Sequence, residues 1–480
     1  MSLPIELVEE IMHCVVEVTF DVRFPSCHTP TAASRRDLLS CALSCSAFFH
    51  PTMEHLWSNS ELMPLLKLLP GFKVIDSSYV LTGQLDEASL KRFDLYSSKV
   101  KTLVLYSPKG KDTPILVDKS VYTSLALLRP RPLLSLAHVY CYEYTEIFSN
   151  EMIFMISSSL ESAAFQSCSS QDIMSYLSII KNEGNRSTFH SLTLENLWGD
   201  IDLAYVSQLQ NLQVFGLNIY LSSVENEAVL YPRYLKQLDL RGAFYVTQNI
   251  FTMLAIYRNS PVESFSLDAS LVDKDFRKIF SVASSQWSRT VTTLSLDINM
   301  MEAEMGQEKF LDIVRPLFSS LHNIQFFTGT FIGLSEEVYV TGALISNISD
   351  AWHNLINLKV WTRHENANIA LASLKTLSEG CLNLKQVYIL FDTLHMPVVD
   401  HNEPEVSLSS SSHQLESLTL LVDASVLHDF AAIGPGATES LAIHLGTIFP
   451  YLEDIVVTTR GRQVEHLRRE ARRRDRSLTV

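Results

Sequence analysis

The sequence predicts an α+β protein in which a small helical N-terminal unit is followed by a long α/β solenoid, and three observations carry that prediction. Apolar stripes at helical spacing, separated by Pro-containing text, occupy residues 1–60. From residue 99 onward a strand-like hexad recurs, apolar at its first, fourth and sixth positions. Between successive hexads the apolar spacing changes to that of a helix.

The first stripe opens at Pro4, whose fixed φ suits a first helical turn, and continues through Leu7, Val8, Ile11, Met12 and Val15 toward Phe20. Pro25, Cys27, His28 and Pro30 then read as a loop across residues 21–34. Ser34, with Asp37 three residues on, has the pattern of a helix cap, and Leu38, Leu39, Ala42, Leu43 and Cys45 continue a second apolar face toward Phe48 and Phe49. Pro51 is expected to end that helix before Leu56 and Trp57. A helical unit of roughly 55 residues is marginal alone, so it is expected to have a partner.

The solenoid rests on spacing, because in a chain that is 46% hydrophobic a lone hexad arises by chance about one time in ten. Members include Val100-Leu103-Leu105, Phe189-Leu192-Leu194, Leu212-Phe215-Leu217, Leu235-Leu238-Leu240, Val262-Phe265-Leu267 and Val291-Leu294-Leu296. Others are Leu321-Ile324-Phe326, Leu355-Leu358-Val360, Leu384-Val387-Ile389, Leu415-Leu418-Leu420 and Leu452-Ile455-Val457, with weaker ones around Leu136 and Ala163. Successive members lie about 23 to 37 residues apart, averaging near 29. Helical stripes such as Phe276, Ile279, Phe280 and Ala283 fill the gaps. One strand and one helix cannot bury their apolar faces alone, so stacking into a curved array is the expected solution, with an ordinary α/β domain as the alternative. Residues 61–98 would be a linker or first cap, 99–459 the array and 460–480 a basic tail.

Composition narrows the function classes. A formal net charge of -15 opposes binding of the main body to nucleic acid or anionic lipid. No apolar run reaches a membrane-spanning length, and Glu6, Glu9 and Glu10 stand where a signal peptide would be basic, so a cytoplasmic or nuclear location is expected. Seven scattered cysteines fit reduced thiols. His13, Cys14, Cys27, His28, Cys41 and Cys45 lack zinc-site spacing, and no cofactor is expected. Neither a nucleophile elbow, nor a phosphate-binding Gly loop, nor a His-Glu-x-x-His helix occurs. Segment 396–413 reads as a surface loop whose Ser409–Ser412 run is solvated linker or a phosphorylation target. The arginines from Arg460 to Arg476 read as a solvated helix over the last repeat, or else as an import signal or acidic-partner patch.

The N-terminal text, Leu3-Pro4-Ile5-Glu6-Leu7, Ile11, Asp37-Leu38-Leu39, Leu43 with Cys45, Phe48, and Leu56-Trp57, resembles the F-box, and the insertion after the first helix resembles the fungal type. The hexads resemble leucine-rich repeats loosely, since the Asn or Cys expected three residues after the hexad occurs only as Cys168 and Asn299. Together these resemblances imply the substrate receptor of an SCF ubiquitin ligase, a non-catalytic subunit. Leu3, Pro4, Leu7, Ile11, Leu38, Leu39, Leu43, Phe48 and Trp57 would meet a Skp-type adaptor and, through it, a cullin. The concave sheet, with Asp239, Arg241, Asp268 and Asp297, would hold a target protein. The rival readings are a repeat scaffold outside any ligase and, more remotely, a hydrolase.

Overall fold

The computed structural model describes residues 4–15, 18–20, 28–106, 116–142, 150–182, 188–197, 201–219, 233–242, 247–300, 307–332, 342–362, 371–390, 414–422, 445, 448–449, 452, 454–459 and 462–464. Leu3, segment 396–413 and most of the arginine-rich tail lie outside them. The chain divides into two units, Met1–Tyr234 and Leu235–Val480. Among the described residues no helix is long and apolar enough to cross a membrane.

The first unit begins with three helices, α1 (Ile5–Val15), α2 (Ala32–Ser44) and α3 (Ser46–Ser58). Between α1 and α2 the expected loop carries a short antiparallel pair, β1 (Val18–Phe20) with β2 (His28–Pro30). Thr31, not Ser34, caps α2: its Oγ1 accepts the backbone N–H of Ser34 at 3.1 Å, which satisfies one of the orphan donors of the first turn. Nor does Pro51 end a helix. The break falls at Cys45, whose extended backbone separates α2 from α3, and Pro51 lies buried inside α3. Its fixed φ is compatible with a helix, but the ring removes one backbone bond and crowds the carbonyl one turn back, so the helix tolerates it at a cost. Val8, Met12, Leu38, Ala42 and Met53 fill the space between the helices, where Thr52 Oγ1 donates to Met12 Sδ at 3.1 Å.

The chain enters the sheet without a linker. β3 (Asn59–Glu61) follows α3 directly, ahead of the expected start at residue 99, and pairs in parallel with a later strand, β6. Between them lie α4 (Leu62–Leu66), the hairpin β4 (Phe72–Ile75) and β5 (Ser78–Leu81), and α5 (Lys91–Ser97). Then come β6 (Thr102–Tyr106), β7 (Leu116–Val117), α6 (Lys119–Leu128), β8 (His138–Tyr142), a 3-10 turn at Glu151–Phe154, β9 (Ser162–Gln166), α7 (Ser170–Asn182), β10 (Ser191–Glu195), α8 (Leu203–Ser207) and β11 (Val214–Ile219). β3, β6, β8, β9, β10 and β11 are neighbours in that order and all parallel, while β7 joins the hairpin in a small separate sheet. Arg129 fastens α6 to α5 and its approach by gripping Asp94 and Glu87, each through two N–H donors at 2.6 to 3.0 Å.

The second unit repeats one theme: β12 (Gln237–Gly242), α9 (Thr247–Ile256), β13 (Ser264–Leu271), α10 (Asp273–Trp287), β14 (Thr293–Met300), α11 (Gln307–Ser320), β15 (Phe326–Ile332), α12 (Gly342–Ala351), β16 (Asn357–Thr362), α13 (Leu371–Gly380), β17 (Gln386–Leu390), β18 (Ser417–Val422) and β19 (Asp454–Thr459). β12 to β19 pair in chain order, all parallel. Strand order that follows chain order, with helices as crossovers, defines a repeat array. The described start of the tail is a strand and not the expected helix: β20 (Arg462–Val464) runs antiparallel on β19. It covers a sheet edge that would otherwise be open to other chains.

Register puts the hexads to use. Leu238, Phe265, Leu294, Phe327, Leu358, Val387 and Leu418 share one lateral row, and each is buried. They face the helices, as Phe265 against Trp287 at 5.4 Å and Phe327 against Trp352 at 4.8 Å show. One hexad is corrected. Leu321-Ile324-Phe326 is out of step by three residues, since Leu294 pairs with Phe327 and Leu296 with Gly329, leaving Phe326 exposed. The true member is Ile324-Phe327-Gly329. Gly329 stands where the neighbouring strands have Leu296 and Val360, because the rings of Phe327 and Phe331 fill that space and would each lie 2.9 Å from a Cβ there. Gly329→Leu, which restores the repeat pattern on paper, is therefore expected to destabilise the second unit by about 1–3 kcal/mol through overpacking. A urea titration followed by tryptophan fluorescence measures it, and an unchanged or raised midpoint would refute this packing.

Candidate interaction site

Helix α1 presents three faces of different chemistry, and each follows from its spacing. Val8 and Met12 are buried, one turn apart, and tie the helix to α3. The next stripe, Leu7 and Ile11, is 47% and 37% exposed. Glu6, Glu9, Glu10 and His13 make the third face. With Pro51, Glu54, His55 and Ser58 of α3, and Lys101 just ahead of β6, they line a groove of about 570 Å³. His55 is held below the usual histidine range by burial and then by His13, with Glu54 pulling the other way. It is therefore neutral near pH 7, and the groove keeps an acidic character from its glutamates.

Helix α2 repeats the division. Ser34, Leu38 and Ala42 form its buried stripe, whereas Leu39 and Leu43 are 49% and 78% exposed. Large aliphatic side chains are thus displayed at helical spacing on two helices of one small unit. These four side chains are large apolar surface that the unit leaves in water.

Of the nine residues expected at an adaptor contact, Pro4, Leu7, Ile11, Leu39 and Leu43 are exposed, and Leu3 lies outside the described residues. Leu38 has no accessible surface and belongs to the core of the unit, so it leaves the exposed set. Phe48 is half-buried, and Trp57 stacks on Tyr96 of α5 at 4.8 Å between ring centres. Cys14 and Cys45 are exposed and Cys41 half-buried, all free thiols. The sequence did not disclose the acidic groove. Its only signal was the i, i+3, i+4, i+7 spacing of Glu6, Glu9, Glu10 and His13, which shows a face but no opposing wall.

The second set of expected residues sits on the sheet face turned away from the helices in the second unit. Alternation along β12 sends Leu238 and Leu240 to the core and Asp239 and Arg241 outward. Register then aligns Arg241, Asp268 and Asp297 on three consecutive strands. Arg241 Nη2 reaches back to Asp239 Oδ2 at 3.2 Å. The Asp268 carboxyl is pushed above the ordinary range by partial desolvation and by Asp297 beside it, with Arg241 opposing. Further along this face Ser266, Ser295 and Thr328 give way to Lys359, whose Nζ lies 5.1 Å from the ring centre of Tyr388. The four predicted residues are thus neighbours on one surface, suited to polar contacts with another macromolecule.

No family model matches this sequence, and no curated protein matches it. Among solved structures, a leucine-rich-repeat protein of Leptospira interrogans aligns over 82% of this chain and 99% of its own, at 12% identity and a TM-score of 0.30. That likeness is too slight to carry the fold, which rests on strand order and register.

The division between core and display on α2 gives a direct expectation. Leu38→Ala is expected to destabilise the helical unit by about 2–5 kcal/mol. Its neighbour Leu39→Ala is expected to stay within about 0.5 kcal/mol of the parent. Thermal denaturation of the two variants checks this, and equal losses would show that Leu39 is also core.

Proposed function

We propose that the protein is a non-catalytic substrate receptor of an SCF-type ubiquitin ligase, its N-terminal helices docking a Skp-type adaptor and its repeat sheet holding a target protein. The observation that carries this reading is the exposure of Leu7, Ile11, Leu39 and Leu43, which occupy hydrophobic positions of the F-box-like text while their helical neighbours Val8, Met12, Leu38 and Ala42 fill the core. Apolar anchors in a central patch supply most of the affinity at such interfaces.

Other features agree with the reading. The helical unit that would carry the adaptor runs directly through β3 into the parallel sheet of the first unit, with no intervening linker. The open sheet face displays charged and hydroxyl side chains in lateral rows, as protein recognition requires. In this reading ubiquitin transfer is the chemistry of the partners, and a cullin is reached only through the adaptor. The protein would act in the cytoplasm or nucleus, where that machinery resides.

Co-purification of the full chain with a recombinant Skp-type adaptor, beside a Leu7→Ala, Ile11→Ala double variant, tests the reading. Both replaced side chains are exposed, so the variant is expected to keep the parent's circular dichroism and melting temperature. The parent should bind, and the double truncation should weaken binding at least about tenfold. A folded parent that fails to bind would remove the ligase reading and leave a repeat scaffold.

A further inference from the structure

Two of the free thiols meet. Cys141 lies on β8 in an inward position, and Cys168 lies just past the end of β9 on the neighbouring repeat. Both are fully buried, and their Sγ atoms are 3.6 Å apart. Ser167, between β9 and Cys168, has a φ of 53°, a left-handed turn that swings the chain inward, and its N–H is held by the carbonyl of Glu195 at 2.9 Å. The Cys168 Sγ also lies 3.5 Å from the Cys141 carbonyl and 3.4 Å from that of Gln166.

We propose that Cys141 and Cys168 are a modification site, a dithiol that a peroxide converts into a disulfide joining adjacent repeats. A bond needs the sulfurs at about 2.0 Å, so the pair must close by less than the width of one atom. Neighbouring parallel strands already hold the two chain segments in register, so the approach involves the turn at Ser167 and not the sheet. In the reaction the Cys168 thiolate attacks one peroxide oxygen, the O–O bond breaks, and the other oxygen leaves with a proton. The resulting sulfenic acid is then attacked by the Cys141 sulfur, which forms the S–S bond and expels hydroxide, neutralised to water by the proton Cys141 gives up. The two thiols together lose two protons and two electrons, and the peroxide is reduced to water and an alcohol, or to two waters.

At rest the pair is protected. Contact with Cys168, then burial, pushes the Cys141 thiol well above its usual range, so reaction waits on brief opening of the turn. The bridge would close a loop between residues 27 apart in sequence, which restricts the unfolded chain and fastens β8 to β9 at their C-terminal ends. This inference concerns the interior of the first unit and is independent of adaptor binding.

The experiment treats the folded full-length chain with hydrogen peroxide below its melting temperature, blocks remaining thiols with iodoacetamide, and maps non-reduced peptides by mass spectrometry. The expected result is a linked pair containing Cys141 and Cys168, two hydrogens lighter than the separate peptides, with a raised midpoint of thermal unfolding that dithiothreitol reverses. Cys141→Ala should abolish the link and leave Cys168 as a sulfenic or higher oxide. Two outcomes would overturn the proposal: both thiols remaining reduced until the chain unfolds, or the parent accumulating single-cysteine oxides with no link. Neither depends on the variant folding.

Discussion

The constraint on which the molecule depends is the lateral register of the parallel strands. Most strands contribute an apolar pair two residues apart, and register stacks those residues into rows facing the helices. A buried Leu or Phe contributes about 1.5–3 kcal/mol relative to exposure, but only if its row neighbours exclude water with it. A shift of one residue would turn the row outward and bring Asp239, Asp268 and Asp297 into the core. The same register therefore secures the core and composes the outer face. The side chains displayed on the outer face are those that alternate with the buried ones.

The N-terminal unit uses the helical period in an analogous way. On α1 one stripe goes to the core, the next to water as bare hydrophobic surface, and the third to an acidic groove. Leu7 and Ile11 on α1 and Leu39 and Leu43 on α2 are the apolar side chains left outside that core. The groove sets Glu6, Glu9, Glu10 and Glu54 against the single Lys101, which leaves that flank of the unit predominantly negative.

Much of this was legible in the amino-acid text, and the failures have physical causes. The hexads marked the strands because most members keep an inward aliphatic or aromatic pair. β15 was misread because its second inward residue is Gly329, while Phe326 imitated the missing apolar position from the opposite face. β3 was invisible, since Asn59, Ser60 and Glu61 have no strand propensity and extend only by pairing with β6. Thr31 and Ser34 both match the text of a helix cap, and only backbone geometry separates them. Periodicity listed Leu38 and Leu39 together but could not say which stripe turned inward. The meeting of Cys141 with Cys168 needed the register of β8 and β9, which no local pattern encodes.

Hydrogen exchange of the full chain, alone and with a purified Skp-type adaptor, tests the central claim most directly, because it reports where a partner sits without altering a residue. Slowed exchange confined to α1 and α2, the helices that carry Leu7, Ile11, Leu39 and Leu43, with the sheet of the second unit unchanged, is the predicted result. Unaltered exchange across residues 5–44 in the presence of saturating adaptor, or protection only on the repeat sheet, would contradict the division of labour between the two ends of the chain.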